Sequence, residues 1–369
     1  MRSFGFHNPV ELRFGRGRLR ELAEIVEPPV LVVWGQSARA RTRIMESLSL
    51  RETDVHEFCG VEPNPSPATV DRGIRLASAQ RVRTVVGVGG GSAMDAAKCI
   101  ATVVGNAADL REFEENCRRE DKVRRRLGLV QVPTTAGTGS EVTRWASLWN
   151  AQGQKSSFDH TSAYADTALI DPSLTDSMGP RLTAATALDA MAHAFESIWG
   201  VHGNPVSDAL AASALALIGR WLLPTLEEPT PDRRSELALA ALLAGCALSG
   251  CRSAAAHALS YEMTGRFGLE HGLAVGLLCR GLLRWTQEQA PHRVDLILRS
   301  LGVSDVEQAR DFIASVFSAA GLRPRLSEFG IQPSHLPELV AAAGSADRLA
   351  NHPGPIRPDV MLAVLQEIA

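Results

Sequence analysis

Short continuous apolar runs alternate with stretches of helical periodicity through the first half of the chain, and the alternation stops near residue 180. The runs are VLVVW (Val30 to Trp34), RTVVGVGGG (Arg83 to Gly91), LGLVQVP (Leu127 to Pro133) and TALIDP (Thr167 to Pro172). None alternates polar with apolar residues, so both faces of each predicted strand are covered, as in a parallel sheet. ATVDRGIRLASAQ and SAMDAAKCIATVV lie between them with helical spacing. Strand and helix in alternation predict a parallel sheet flanked by helices. From about Arg181 onward Ala and Leu recur at helical spacing, as in SDALAASALALIGRWLL and ELALAALLAGCALSGC, with no β-branched strand. The break falls in DPSLTDSMGPRLT, where Pro172, Gly179 and Pro180 punctuate the chain. The expectation is an α/β domain over 1–178 and an all-helical domain over 179–369.

Composition narrows the function. At 369 residues and ~150 residues per domain, two domains fit. Lys plus Arg is 38 and Asp plus Glu is 41, a net charge of −3, which argues against a nucleic-acid footprint. Hydrophobic residues are 45% and charged ones 21%, an ordinary globular balance that excludes wholesale disorder. The six cysteines form no CxxC pair and read as reduced thiols in a cytoplasm. The start has no charged region followed by an apolar run, so no signal peptide is expected. The longest uncharged stretch, Leu237 to Cys251, falls short of the ~18 apolar residues of a membrane span.

Two loops carry candidate chemistry. Gly89, Gly90, Gly91 and Ser92 follow a strand and open a helix. Backbone N–H groups there can approach a phosphate, aided by the helix N-terminus; alternatively the turn is simply tight. The spacing is not GxGxxG, because the last position is Ser92. PTTAGTGSE (Pro133 to Glu141) follows the next strand and is dense in hydroxyls: Thr134, Thr135, Thr138 and Ser140. Ligands of open α/β sheets sit at the carboxyl ends of strands, so two such loops in succession point to a nucleotide. No GxxxxGK[ST] occurs, which disfavours a P-loop NTPase.

The helical half holds a candidate metal set. Asp189 and His193 are spaced i, i+4 and share a helix face. His257 and His271 lie in further apolar stretches, HALSYEM and LEHGL. One carboxylate and three imidazoles suit Zn²⁺ or Fe²⁺.

GGGSAMDAAK, PTTAGTGSEVT, LDAMAHAFES and HALSYEMTGRFGLEHGLA occur in that order. Together they resemble the iron-containing (group III) alcohol dehydrogenases nearly end to end, from FGRG to DRLANHPGPI. The resemblance implies the fold of that family, which dehydroquinate synthase shares: a dinucleotide-binding α/β domain, then a helical domain, with a metal in the cleft between them. It implies an NAD(P)-dependent, metal-dependent enzyme interconverting a small aldehyde and alcohol, and a homodimer. Carried over by motif, Asp189, His193, His257 and His271 become metal ligands for Fe²⁺ or Zn²⁺. Gly89, Gly90, Gly91 and Ser92 become pyrophosphate contacts. Gly35, Ser37, Asn64, Asp95, Thr134, Thr135, Thr138 and Ser140 become further cofactor contacts. Lys155 lies where the family places a lysine near the nicotinamide ribose, and it counts as a catalytic candidate too.

Two departures stand out. Tyr261 occupies the position where many relatives carry a second histidine, so the proton comes from Tyr261, from water or from the cofactor ribose. Arg252 stands five residues before His257, where many relatives have a small residue. TRWASLWN, KSSFDH and Arg-x4-HALSY look most like the branch that reduces phosphonoacetaldehyde to 2-hydroxyethylphosphonate. On a continuous helix Arg252 would sit about one and a half turns from His257 and could grip the anion of such a substrate. No acid follows VLVVW; Gly35, Gln36, Ser37, Arg39 and Arg41 stand there instead. An acid at that point bonds a ribose 2′-OH, so its absence favours NADPH over NADH. The competing classes are a metal- and NAD-dependent lyase or cyclase of the dehydroquinate-synthase kind, a reductase of another small aldehyde such as sulfoacetaldehyde, and a nucleotide-binding regulator with a structural metal.

Overall fold

The computed structural model describes residues 3–35, 40–48, 54–117, 123, 126–344 and 347–369. They divide into two compact units that are not contiguous in sequence. One comprises Asn8–Thr135 and Ser140–Thr175; the other comprises Met1–His7, Ala136–Gly139 and Asp176–Ala369. The sequence reading put a single break at 178/179. The extra pieces join the helical unit by close packing: Phe6 lies against Gly250, and Gly137 lies against Thr186.

In the α/β unit the strands are β1 (Glu11–Phe14), β2 (Val30–Gly35), β3 (Val55–Val61), β4 (Thr84–Gly89), β5 (Gly128–Pro133), β6 (Trp145–Trp149), β7 (Lys155–Asp159) and β8 (Thr167–Ile170). The helices are α1 (Leu22–Ile25), α2 (Arg41–Leu48), α3 (Pro67–Ala79), α4 (Gly91–Val103) and α5 (Leu110–Asn116). Six strands form a parallel sheet in the order β1-β8-β5-β4-β2-β3. β6 and β7 form a separate antiparallel pair. The continuous apolar runs are the inner strands, and Val30 to Val33 are fully buried. α3 starts at Pro67 and is capped by Ser66, whose side chain accepts from Thr69 N. α4 is made of small residues and buries almost its whole surface. Gly89 lets it start so close to the sheet: its φ is +150°, and a Cβ there would stand 2.9 Å from Ala93 Cβ.

The helical unit contains α6 (Pro180–Trp199), α7 (Pro205–Glu227), α8 (Pro231–Ser249), α9 (Ala255–Phe267), α10 (His271–Gln289), α11 (Pro291–Leu301), α12 (Val306–Ala319), α13 (Leu336–Ala343) and α14 (Pro358–Glu367). No strand occurs among its described residues. α6 is buried nearly all round, from Thr183 to Trp199, and packs against α7, α8 and α10. That explains a helix apolar on every side. α7 is the one helix among the described residues long and apolar enough to cross a membrane by length and composition. It carries Asp208 and Arg220 and packs on α6, α8 and α11. All six cysteines are free thiols.

Asp171, just after β8, shows how the α/β unit is fastened. Its carboxylate accepts from Gly17 N (2.9 Å), Leu19 N (3.2 Å), Ser173 N (3.0 Å) and Ser173 Oγ (2.6 Å). Burial alone would raise its pKa, but these donors outweigh burial and hold it below the usual carboxylate value. A depressed folded pKa contributes stability above the unfolded value of ~4, and that contribution is lost as pH falls through the folded value. Asp171→Asn should therefore destabilise the protein by ~2 kcal/mol at neutral pH. The difference from wild type should shrink at acid pH. Urea unfolding of both proteins at pH 7 and pH 3 checks this; a difference independent of pH would refute it.

Candidate functional site

α6, α9 and α10 bring the predicted metal residues together. Asp189 Oδ1 lies 3.5 Å from His193 Nε2, 3.7 Å from His257 Nε2 and 3.7 Å from His271 Nε2. Asp189, His257 and His271 each offer a ligand atom within 4.8 Å of the other two. His193 lies outside that trio, with its ring stacked on His257 at 4.9 Å and 14°. Two glycines allow the convergence. A Cβ on Gly272 would overlap the Ala185 carbonyl, and one on Gly276 would stand 3.0 Å from Leu188. The first turn of α10 thus lies directly on α6, and His271, its first residue, reaches Asp189.

The donor set fits a cation. Asp189 Oδ1 and His257 Nε2 are buried and have no hydrogen-bond partner. Buried polar atoms without partners are rare in native proteins and call for an ion or water. Below its pKa of ~4 aspartic acid could share a proton here, but the imidazoles hold Asp189 well below that range although burial acts the other way. His257 behaves oppositely: burial lowers it, yet Glu196 and Asp189 outweigh burial and push it up to about 9. His193 is lowered, chiefly by burial. His352 is a useful contrast. It is equally buried, against Trp199 and Trp285, with Nε2 3.1 Å from Thr286 Oγ1. Burial pulls it down to about 4, as for a neutral core histidine.

Around this cluster, the ring of Tyr261 is stacked 6.5 Å from that of His271. Burial pushes the Tyr261 hydroxyl up to about 12. Arg348 Cζ lies over the Tyr261 ring, 5.5 Å from its centroid. Arg252 is not on the helix of His257, contrary to expectation. α8 ends at Ser249 and α9 begins at Ala255, so Arg252 sits in the connecting turn. Its φ is +67°, the left-handed region that disfavours a side chain. Asn351 holds the turn, its Nδ2 donating at 3.1 Å to the carbonyls of Cys251, Arg252 and Ser253. The Arg252 side chain is exposed.

In the α/β unit, most proposed cofactor contacts gather at the carboxyl ends of β2, β4 and β5. Gly35 lies 3.6 Å from where a Gly89 Cβ would stand, and Asn64 N donates to Ser92 Oγ at 3.2 Å. Thr134 N donates to Gly89 O at 2.9 Å, and Thr135 lies beside Gly90. Gly90, the N-cap of α4, supplies no side-chain cap, which leaves the first-turn N–H groups for a ligand. Asp95 and Ser140 are turned to each other instead. Ser140 Oγ donates to Asp95 Oδ1 (2.6 Å), Ser147 N donates to Oδ2 (2.8 Å), and the wholly buried Lys98 donates to Ser140 Oγ (2.7 Å) and Trp145 O (2.7 Å). Those two residues build the loop rather than presenting free polar atoms. Thr138 belongs to the short piece Ala136–Gly139 that packs with the helical unit. There Gly139, at φ +60°, would overlap the Gly245 backbone of α8 if it carried a Cβ. Lys155 opens β7, paired with Trp149. Ser37, with Gln36 and Arg39, lies outside the described residues. Arg41 is engaged: its guanidinium forks onto Glu57 at 2.7 and 2.6 Å. Nothing in the sequence reading anticipated that acid across from it.

One residue of the cluster escaped the sequence reading altogether. Glu196 is fully buried, and its carboxylate lies 2.6 Å from His257 Nδ1. Its spacing held the signal: it stands three residues after His193 and seven after Asp189, on the same helix face.

A parallel sheet with glycine- and threonine-rich loops at its carboxyl ends is joined in one chain to a helical unit whose Asp189, His257 and His271 could hold a metal ion. Residues 9–172 match the iron-containing alcohol dehydrogenase family and residues 183–369 match the C-terminal part of the Fe-containing alcohol dehydrogenase family. The chain is 32% identical to a long-chain-alcohol dehydrogenase of Geobacillus thermodenitrificans, over 82% of this chain and 79% of that one. Its fold superposes on a sulfoacetaldehyde reductase of Bifidobacterium kashiwanohense, solved in complex with NAD⁺. The TM-score is 0.89 at 27% identity, over 100% of this chain and 99% of that one. An iron-containing alcohol dehydrogenase of Thermotoga maritima gives 0.86 at 29%, over 99% of each chain. The chain belongs to the iron-containing alcohol dehydrogenase family and is an oxidoreductase.

A metal-free centre would hold a proton on His257 up to about pH 9. A divalent cation needs that nitrogen bare. Zn²⁺ binding at neutral pH should therefore release about one proton from this residue, and affinity should rise with pH until about 9 and then level off. Titration calorimetry in HEPES and in Tris measures the release. A binding heat that does not depend on the buffer would show that no proton leaves.

Proposed function

We propose that this oxidoreductase reduces a small aldehyde carrying an anionic head group, phosphonoacetaldehyde foremost, with NADPH as hydride donor. The observation that carries the reading is the cluster of buried Asp189, His193 and His257 with half-buried His271, in the same unit as the Arg252 turn. A bound Fe²⁺ or Zn²⁺ would polarise the substrate carbonyl as a Lewis acid. The nicotinamide carries the redox chemistry, and the protein supplies orientation and field.

The residues divide the remaining work. Asp189 and the three imidazoles hold the cation. Tyr261, with its hydroxyl pushed up to about 12, stays protonated at neutral pH. It can therefore donate to the reduced oxygen, directly or through water or a ribose hydroxyl. Arg252 offers a guanidinium fork, which suits phosphonate, sulfonate or carboxylate oxygens. Asn351 holds the backbone turn that carries Arg252 in its strained conformation. The uncapped N-terminus of α4 suits a pyrophosphate. Lys155 is assigned to the nicotinamide ribose.

The choice of NADPH requires Arg41 to exchange Glu57 for a 2′-phosphate. The sulfoacetaldehyde reductase among the similar structures favours a second reading, in which the anion is a sulfonate. A lyase of the dehydroquinate-synthase kind would consume no reduced cofactor over a full turnover.

Oxidation of NADPH followed against phosphonoacetaldehyde, sulfoacetaldehyde and propionaldehyde tests the reading directly. Arg252→Leu should raise KM for the anionic aldehydes by about 100-fold, since a charged hydrogen bond is worth up to ~3 kcal/mol. KM for propionaldehyde should change little. Equal effects on charged and neutral substrates would make Arg252 a structural residue. Cofactor preference has its own variant. Glu57→Gln should free Arg41 and raise kcat/KM for NADPH over NADH by about tenfold; an unchanged ratio would exclude Arg41 from cofactor choice.

A further inference from the structure

Glu196 sits on α6, and its side chain reaches across to α9. Its Oε2 accepts from His257 Nδ1 at 2.6 Å and from Ala254 N at 2.7 Å. Its Oε1 accepts from Ala256 N at 2.7 Å and His257 N at 3.3 Å. Four donors therefore converge on one carboxylate that is fully buried. The N-cap of α9 is Ala254, which has no side-chain acceptor for the first turn. Glu196 takes that place from another helix, and its charge suits the positive end of α9.

The same carboxylate decides which nitrogen of His257 carries the proton. An ionised carboxylate only accepts, so Nδ1 must be the donor. Nε2 is then the nitrogen that faces Asp189 Oδ1, 3.7 Å away, and the one that a cation would take once its proton has left. In this way one side chain links His193 and Asp189, on its own helix, to the third ligand on α9.

We infer that Glu196 is the positioning residue of the metal centre: it fixes the tautomer and bearing of His257 and locks α9 to α6, so that the affinity for the metal depends on it. This goes beyond the assignment of substrate and cofactor and rests only on the metal reading. Carboxylates that orient ligating histidines typically contribute 10–100-fold to metal affinity.

The test uses the full-length protein, stripped of metal and titrated with Co²⁺ against a competing chelator. Glu196→Gln keeps the volume but places an amide NH₂ among donors. It should weaken Co²⁺ binding by about 10–100-fold and alter the visible absorption of the bound Co²⁺. Glu196→Asp keeps the charge on a shorter arm and should fall between wild type and Glu196→Gln. A residue that merely stabilised the fold would lower the unfolding midpoint and leave the Co²⁺ affinity of the folded protein alone. Affinity within about threefold of wild type in a folded Glu196→Gln protein would overturn the inference. The wild type gives an answer that does not depend on variants folding. With Zn²⁺ bound, ¹⁵N NMR of the histidine rings should find His257 Nδ1 protonated and Nε2 metal-bound; the reverse assignment overturns the proposal. If the wild-type protein binds neither ion, the metal reading fails and the inference falls with it; metal binding in the wild type that a folded Glu196→Gln protein keeps overturns the inference alone.

Discussion

A carboxylate taken out of water needs positive charge close by, and in the helical unit that need centres on Asp189. Its buried oxygen faces three imidazole nitrogens at 3.5 to 3.7 Å. Removing an ion from water without compensation costs many kcal/mol, so the helices that deliver those imidazoles cannot be arranged freely. α6 must be buried on every side to hold Asp189 dry. α9 must begin where His257 can face it, and α10 must start on top of α6. The alanine and glycine content of these helices follows from that crowding: Gly272 and Gly276 sit where any larger residue would force α10 away.

The same logic separates histidines that look alike in sequence. His257 and His352 are both buried. His257 lies between two carboxylates and is pushed up to about 9, whereas His352 lies among indoles and falls to about 4. Burial is common to both, and the neighbouring carboxylates set the direction in which His257 departs from His352.

Legibility in the sequence tracked how much of each feature is local. β2, β4, β5 and β8 were visible because inner parallel strands are continuous apolar runs. β1 and β3 lie at the sheet edges, where half-exposed sequences such as VHEFCGV carry no clear period. The hairpin β6–β7 was lost for the same reason. Asp189 and His193 share a helix face by their spacing, while His257 and His271 are legible only as histidines in further apolar stretches, because the contact between α9, α10 and α6 is not written in either segment. Glu196 shares the helix face of Asp189 and His193, but an acid on a helix ordinarily faces solvent and its spacing names no partner on α9. Arg252 was misplaced because helical periodicity was extended through Gly250, where the chain in fact turns. The polar atoms of Asp95 and Ser140 close a network around Lys98 that only the fold reveals.

The chain passes between its two units at four points: after His7, after Thr135, after Gly139 and after Thr175. A fragment cut at the apparent boundary near residue 178 would therefore not be a domain. It would lack Ala136–Gly139, whose glycines lie flat against Thr186 of α6 and Gly245 of α8. Those two helices would be left with a bare strip of backbone and side chain where four residues of the other half belong. A C-terminal fragment that begins there therefore exposes a face that the whole chain keeps covered.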